Sequence, residues 1–406
     1  MMIDLACPDR RTALRLLGAA GLVAAFPRIA FADQPSDNRL VVIIQRGALD
    51  GLAAVPPYGD KHYQERRASL ALPMPGEADG ILKLDGMFGL HPALAPIRPL
   101  WDAGELLIVP ATSGGYHTRS HFDAQDLLET GFTERHGEAA GWLNRALFEL
   151  QPKGSTRRLG LALGASTPLM LRGTVPVASW EPPNMKPAAP ALLAIMTKLY
   201  AADPLFGPAL ADGIKAQNLS DEVLGTDMGD MAGKGAGAGA FRAMAEAAGG
   251  LLASKDGPRI AVMDIGGWDT HVGQGTVKGR LGNNLAGFAA GLDRLHAALG
   301  DAWKKTVVVC VTEFGRTVAP NGTGGTDHGT ASVTMLLGGA VRGGKVAGDW
   351  PGLEQLAENR DLRAATDQRA VLKAVLRDHL GLAGDRIDAA VFPGSGVRPM
   401  GGLVRA

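Results

Sequence analysis

Five short apolar runs constrain the fold of this chain more than any other feature. They are Leu40–Gln45 (LVVIIQ), Leu106–Ala111 (LLIVPA), Ile260–Ile265 (IAVMDI), Thr306–Thr312 (TVVVCVT) and Val333–Gly338 (VTMLLG). Each is rich in Val, Ile or Leu and almost free of charge, the pattern of a strand covered on both faces. Helical patterns lie between them. Leu281, Leu285, Phe288, Leu292, Leu295 and Leu299 recur every three or four residues, and Gly300 follows as a stop. A second helix is expected over 367–380, ahead of Gly381, and a third after Ser120. Strands alternating with helices predict an α/β fold with a mostly parallel central sheet flanked by helices. Residues 152–240 break the alternation with prolines and a glycine-rich stretch, so a loop-rich insertion is expected there.

The first 32 residues read as a targeting segment. Arg10-Arg11 precedes the apolar run 16–26, and Ala30-Phe31-Ala32 has the form of a signal peptidase site. The expectation is a twin-arginine signal, export to the periplasm or beyond, and one domain over 33–406. Cys7 would leave with the signal, and the remaining Cys310 cannot form an intramolecular disulfide. Forty-one basic and 41 acidic residues balance, which argues against nucleic acid as a partner. No stretch of the mature chain is apolar for long enough to span a membrane.

Polar clusters sit beside the runs. Arg46 and Asp50 follow the first, His117, Ser120, His121 and Asp123 the second, and Trp268, Asp269 and His271 the third. Glu313 and Arg316 follow the fourth, and Asp327 and His328 precede the fifth. Parallel strands bring their C-terminal ends to one edge, where ligands bind. Carboxylates and imidazoles gathered there are a ligand set for zinc or a harder divalent ion such as manganese or calcium. Such an ion polarises a phosphoryl or sulfuryl oxygen, and Arg316 or Arg46 is placed to neutralise an anionic group. Trp268 is a candidate to line a sugar or aromatic group, with packing as the alternative.

Six motifs resemble those of the domain-of-unknown-function 1501 family, whose members are mostly exported by the twin-arginine route. They are Gln45-Arg-Gly-Ala-Leu-Asp-Gly51, Gly89-Leu-His-Pro92, Arg119-Ser-His-Phe-Asp-Ala-Gln125, Gly267-Trp-Asp-Thr-His271, Thr312-Glu-Phe-Gly-Arg-Thr317 and Gly325-Thr-Asp-His-Gly329. That family is similar in turn to the alkaline phosphatase and sulfatase superfamily. The resemblance implies an alkaline phosphatase-like fold and a metal-dependent hydrolase of phosphate or sulfate esters, its partners being a small anionic ester or glycan and the export machinery. It places Asp269, His271, Glu313, Asp327 and His328 as metal ligands and Ser120 as a nucleophile, although Ser120 with Asp123 also reads as a helix cap. His117 and His121 would line the site. Gln45 and Arg46 stand where the superfamily has its first acid, and Phe314 where it has a second histidine. A rebuilt site using Asp50, or a non-catalytic envelope protein binding an anionic glycan or a partner protein, is the alternative.

Overall fold

The computed structural model describes residues 37–116, 118–134, 140–152, 158–182, 190–203 and 238–405, with isolated helical positions at 207, 210, 211, 214 and 222. The expected signal segment, His117 and most of the glycine-rich stretch 228–240 lie outside the described residues. Nine strands build the main sheet: β1 Arg39–Gln45, β2 Leu106–Ser113, β3 Gly160–Leu163, β4 Ala178–Trp180, β5 Ile260–Ile265, β6 Thr306–Val311, β7 Ser332–Leu337, β8 Lys345–Val346 and β9 Thr366–Asp367. Their order is β8-β2-β7-β6-β1-β5-β3-β4, with β9 also beside β2. All five apolar runs are strands, and β1, β2, β6 and β7 are buried along their whole length.

Helices flank the sheet, among them α1 His121–Thr130, α2 Trp142–Leu150, α3 Ala238–Ala253, α4 Arg280–Leu299 and α5 Gln368–Asp378. The two-residue period of β1 divides the core. Val41 and Ile43 pack with Leu285, Phe288 and Leu292 of α4 and with Phe241 of α3. Leu40, Val42 and Ile44 pack with Trp142 and Leu147 of α2 and with Leu372 and Leu376 of α5. The apolar stripe of α4 is buried as its spacing requires, and the chain leaves it through Gly300 at φ 50°. Ser120 caps α1 and Asp367 caps α5.

The sheet is mostly parallel and flanked by helices, as expected; one feature departs from the expectations and a second refines them. Residues 160–163 and 178–180, assigned to a loop-rich insertion, extend the sheet beyond β5 as parallel strands. Both are short, and the small residues Gly160 and Ala162 mute the apolar signal of β3. The sheet is parallel except at β7, which runs antiparallel to both β6 and β2. That reversal matters for the site. A segment leading into a parallel strand would lie at the opposite edge, whereas the segment leading into β7 joins the loops that leave β1, β2, β5 and β6.

Among the described residues no helix is long and apolar enough to cross a membrane.

Candidate metal centre

At that shared edge Arg316 holds the loops together. Its buried guanidinium donates to the carbonyls of Ala48 and Gly47 after β1, Trp268 after β5 and Thr326 before β7, and to Asp269 Oδ1. The loops approach so closely that two glycines are needed. Gly47 sits at φ 113°, and a Cβ there would lie 2.7 Å from Asp269 N; one on Gly325 would lie 2.3 Å from the His271 carbonyl oxygen.

Four ligand atoms converge above this frame. His328 Nε2 lies 2.9 Å from His121 Nε2, 3.0 Å from His271 Nε2 and 3.3 Å from Asp269 Oδ1. Asp269 Oδ1 lies 3.1 Å from His271 Nε2 and 3.7 Å from His121 Nε2. His121, Asp269 and His328 form a candidate metal-binding triad, and His271 stands beside it as a fourth donor.

The far side of each imidazole decides what these contacts mean. His121 Nδ1 lies 2.8 Å from Glu313 Oε1, His271 Nδ1 3.0 Å from Asp327 Oδ1, and His328 Nδ1 2.9 Å from the Arg119 carbonyl oxygen. Carboxylates and carbonyls only accept, so each Nδ1 carries the hydrogen. The neutral ring then presents a bare lone pair at Nε2. Three lone pairs and a carboxylate oxygen thus face one another with no donor among them except Arg316. A proton relieves one such contact, and a divalent ion held by His121, Asp269 and His328 would relieve several at once. Two ligands on a tetrahedral zinc are roughly 3.3 Å apart, given bonds of about 2.0 Å, and the triad's contacts of 2.9, 3.3 and 3.7 Å are of that order. An oxygen acceptor behind each metal-facing imidazole is the usual support for a histidine ligand.

The electrostatics differ from ring to ring. The hydrogen bond to Glu313 raises the His121 pKa, which favours a second proton on that ring when no cation is beside it. Burial lowers that of His328, with the neighbouring His121 and Arg316 charges adding to it. Burial works to raise Asp269, but Arg316 outweighs it and the carboxyl ends below its ordinary value. Hydrogen bonds from Asn321 and His271 lower Asp327.

The expected site residues divide into three groups. Asp269, His271 and His328 come together as ligand-type atoms. His121, expected only to line the site, joins them. Glu313 and Asp327 stand behind histidines. Glu313 Oε1 accepts from Gly47 N and Gln125 Nε2 as well as His121, and Oε2 accepts from Thr312 Oγ1, which leaves this buried carboxylate no room for an ion.

The third group is engaged elsewhere. Asp50, expected as a ligand, is buried: Oδ1 caps the short helix Gly51–Ala54, and Oδ2 accepts from Arg67 at 2.6 Å and Gln274 at 2.7 Å. Trp268 is not a lining residue. It lies in the core, its indole N–H on the Ile265 carbonyl. Arg46 reaches Asp264, Glu129 and Gln125, and Arg316 is occupied as above, so both guanidiniums have protein partners. Ser120 Oγ accepts the Asp123 N–H as the α1 cap. Phe314 is buried and stacks on the His121 ring at 4.9 Å, buttressing an imidazole where a further ligand was looked for.

Sequence reasoning undervalued His121. The available signal was its helical register: His121 and Gln125 are one turn apart and both reach Glu313.

No curated protein matches the chain. A family model described as a protein of unknown function matches residues 115–390, well over half of the chain and including His121, Asp269, His271 and His328. The chain belongs to this family, DUF1501.

Proposed function

We propose that this is an exported, metal-dependent hydrolase of phosphate or sulfate esters, built on an alkaline phosphatase-like fold and using one divalent ion. One observation carries the reading: three imidazoles, each with its Nδ1–H engaged by an oxygen acceptor, turn their Nε2 atoms toward one another and toward Asp269 Oδ1. His121, His271, His328 and Asp269 would hold the ion. Bound there, it would supply Lewis-acid polarisation of a phosphoryl or sulfuryl oxygen. Zinc and manganese suit the nitrogen-rich donor set better than calcium.

The chain's own groups supply orientation and charge. Glu313, Asp327 and the Arg119 carbonyl hold the imidazole tautomers. Arg316 stabilises the Asp269 carboxylate in its ionised form. Ser120 directly precedes His121, and its Oγ, which accepts the Asp123 N–H, keeps a second lone pair for a nucleophilic role. Export by the twin-arginine route fits a protein that is loaded with its ion before crossing the membrane, and it places the site in the periplasm or outside the cell.

A second reading keeps the ion and drops the chemistry. The engagement of Arg46, Arg316 and Ser120 by the protein favours a cell-envelope protein that binds an anionic glycan or a partner. Hydrolysis of p-nitrophenyl phosphate and p-nitrophenyl sulfate by zinc- or manganese-loaded protein separates the two. The hydrolase reading expects turnover that disappears in His271→Ala, His328→Ala protein. Ion-loaded, folded protein that turns over neither ester contradicts it and leaves the binding reading.

A further inference from the structure

Behind the imidazole cluster lies a cavity of about 210 Å³, far more than one water needs. Its wall comes from the segment 317–321, from Asp327, from the turn at 356–360, and from Arg66 on the short helix Tyr63–Arg67. Two guanidiniums, Arg66 and Arg360, line it together with one carboxylate, Asp327.

The partners of these groups indicate what is missing. Asp327 Oδ1 already accepts from His271 Nδ1 and Asn321 Nδ2. Arg360 donates Nε to Asp361 Oδ1 at 2.9 Å and Nη2 to the His328 carbonyl. Asp361 is shared in turn with Arg119 and Thr330, so it does not belong to Arg360 alone. Arg66 donates to the Glu354 carbonyl through Nη2 at 3.3 Å, its one hydrogen bond among the described residues. Both guanidiniums therefore keep N–H groups beyond their protein contacts, and a planar oxyanion is the partner a guanidinium fork matches.

We propose that this cavity binds a small molecule through a carboxylate, phosphate or sulfate group held by Arg66 and Arg360. The site adjoins the imidazole cluster through its own residues: Arg360 grips the backbone of His328, and Asp327 holds His271. The inference stands on the cavity and is independent of the metal reading.

The test uses full-length mature protein stripped with a chelator, so that an ion cannot recruit the anion. Isothermal titration with sodium phosphate, sulfate and acetate is expected to show saturable binding of at least one of them. Their ranking separates a tetrahedral anion from a carboxylate. Arg66→Met and Arg360→Met should each weaken that binding about tenfold or more, as loss of one charge-assisted contact implies. Arg66→Lys, which keeps charge and loses the fork, should fall between, and it guards against a folding defect in Arg66→Met. No saturable binding by any of the three anions overturns the proposal. So does affinity unchanged in folded Arg66→Met and Arg360→Met, which would mean an adventitious anion elsewhere.

Discussion

Asp50 and Asp269 both follow central strands, yet their carboxylates meet opposite surroundings. Around Asp50 the chain closes a buried network. Arg67 and Gln274 donate to Asp50, and Thr270 and Thr326 donate to Gln274 Oε1, each at 2.7 Å. The Asp50 carboxylate is fully provided with donors there, Arg67 Nε alone lacks an acceptor among the described residues, and all five side chains are buried. Around Asp269 acceptors outnumber donors: three imidazole nitrogens crowd one carboxylate oxygen, and the arginine beside them, Arg316, donates to that oxygen alone of the four. In the first cluster the carboxylate is neutralised by the protein's own arginine. In the second the crowded acceptors suit a cation, as proposed above. The two are joined, because Thr270 lies between Asp269 and His271 and Thr326 lies two residues before His328. The closed network therefore positions the loops of the open one.

The largest expected effect tests that division of labour. Arg67→Met leaves Asp50 as an unpaired buried charge, which costs about 3–5 kcal/mol. Thermal unfolding should show this drop whether or not a metal is present. If added zinc restores the lost stability, the Asp50 network is itself an ion site and the comparison fails.

A smaller effect lies behind the imidazoles. Glu313→Gln keeps the shape but removes the charge that fixes the His121 tautomer. Loss of such a supporting carboxylate should weaken metal affinity about 10–100-fold, read by competition with a chromogenic chelator. Unchanged affinity would show that His121 is not a ligand. Asp327→Asn tests His271 in the same way.

The smallest effect concerns a histidine of the ordinary kind. His91 is buried, with Nε2 on the Thr276 carbonyl and Nδ1 accepting from Ala93 N, so both nitrogens are satisfied in the neutral ring. Burial lowers its pKa below the ordinary 6.5. Above 6.5 the ring is neutral in both folded and unfolded chains and stability is unaffected. As pH falls below 6.5 the unfolded chain takes up a proton that the folded one resists, and stability is lost toward the lower folded value. His379, also lowered by burial, adds to this slope. His91→Asn should be less stable overall but have a shallower acid limb in thermal melts between about pH 6.5 and 5. An unchanged limb would remove His91 from the account.

Much of the frame was legible in the sequence. The strands announced themselves as unbroken apolar runs, and α4 as a stripe with a glycine stop. The loops at 267–271 and 325–329 stood out because Asp and His in glycine-rich segments are poor helix or strand material. The short strands β3 and β4 were not legible, and neither were three further things. The direction of β7 is set by a pairing with β2, more than 200 residues away in sequence. The roles within the cluster depend on which oxygen meets which nitrogen, so Asp269 and Asp327, each next to or near a histidine, looked alike. The neutralisation of Asp50 rests on Arg67 and Gln274, neither of which carries a motif.

The central claim is that the cluster of His121, Asp269, His271 and His328 holds a cation and the Asp50 network does not. Elemental analysis by mass spectrometry of purified wild-type protein, a His271→Ala, His328→Ala variant and an Asp50→Asn, Arg67→Met variant tests it most directly. The account predicts about one zinc or manganese per chain in the wild type and in the Asp50 variant, and none in the histidine variant. Folded wild-type protein without metal, or an ion retained in the histidine variant and lost in the Asp50 variant, would contradict it.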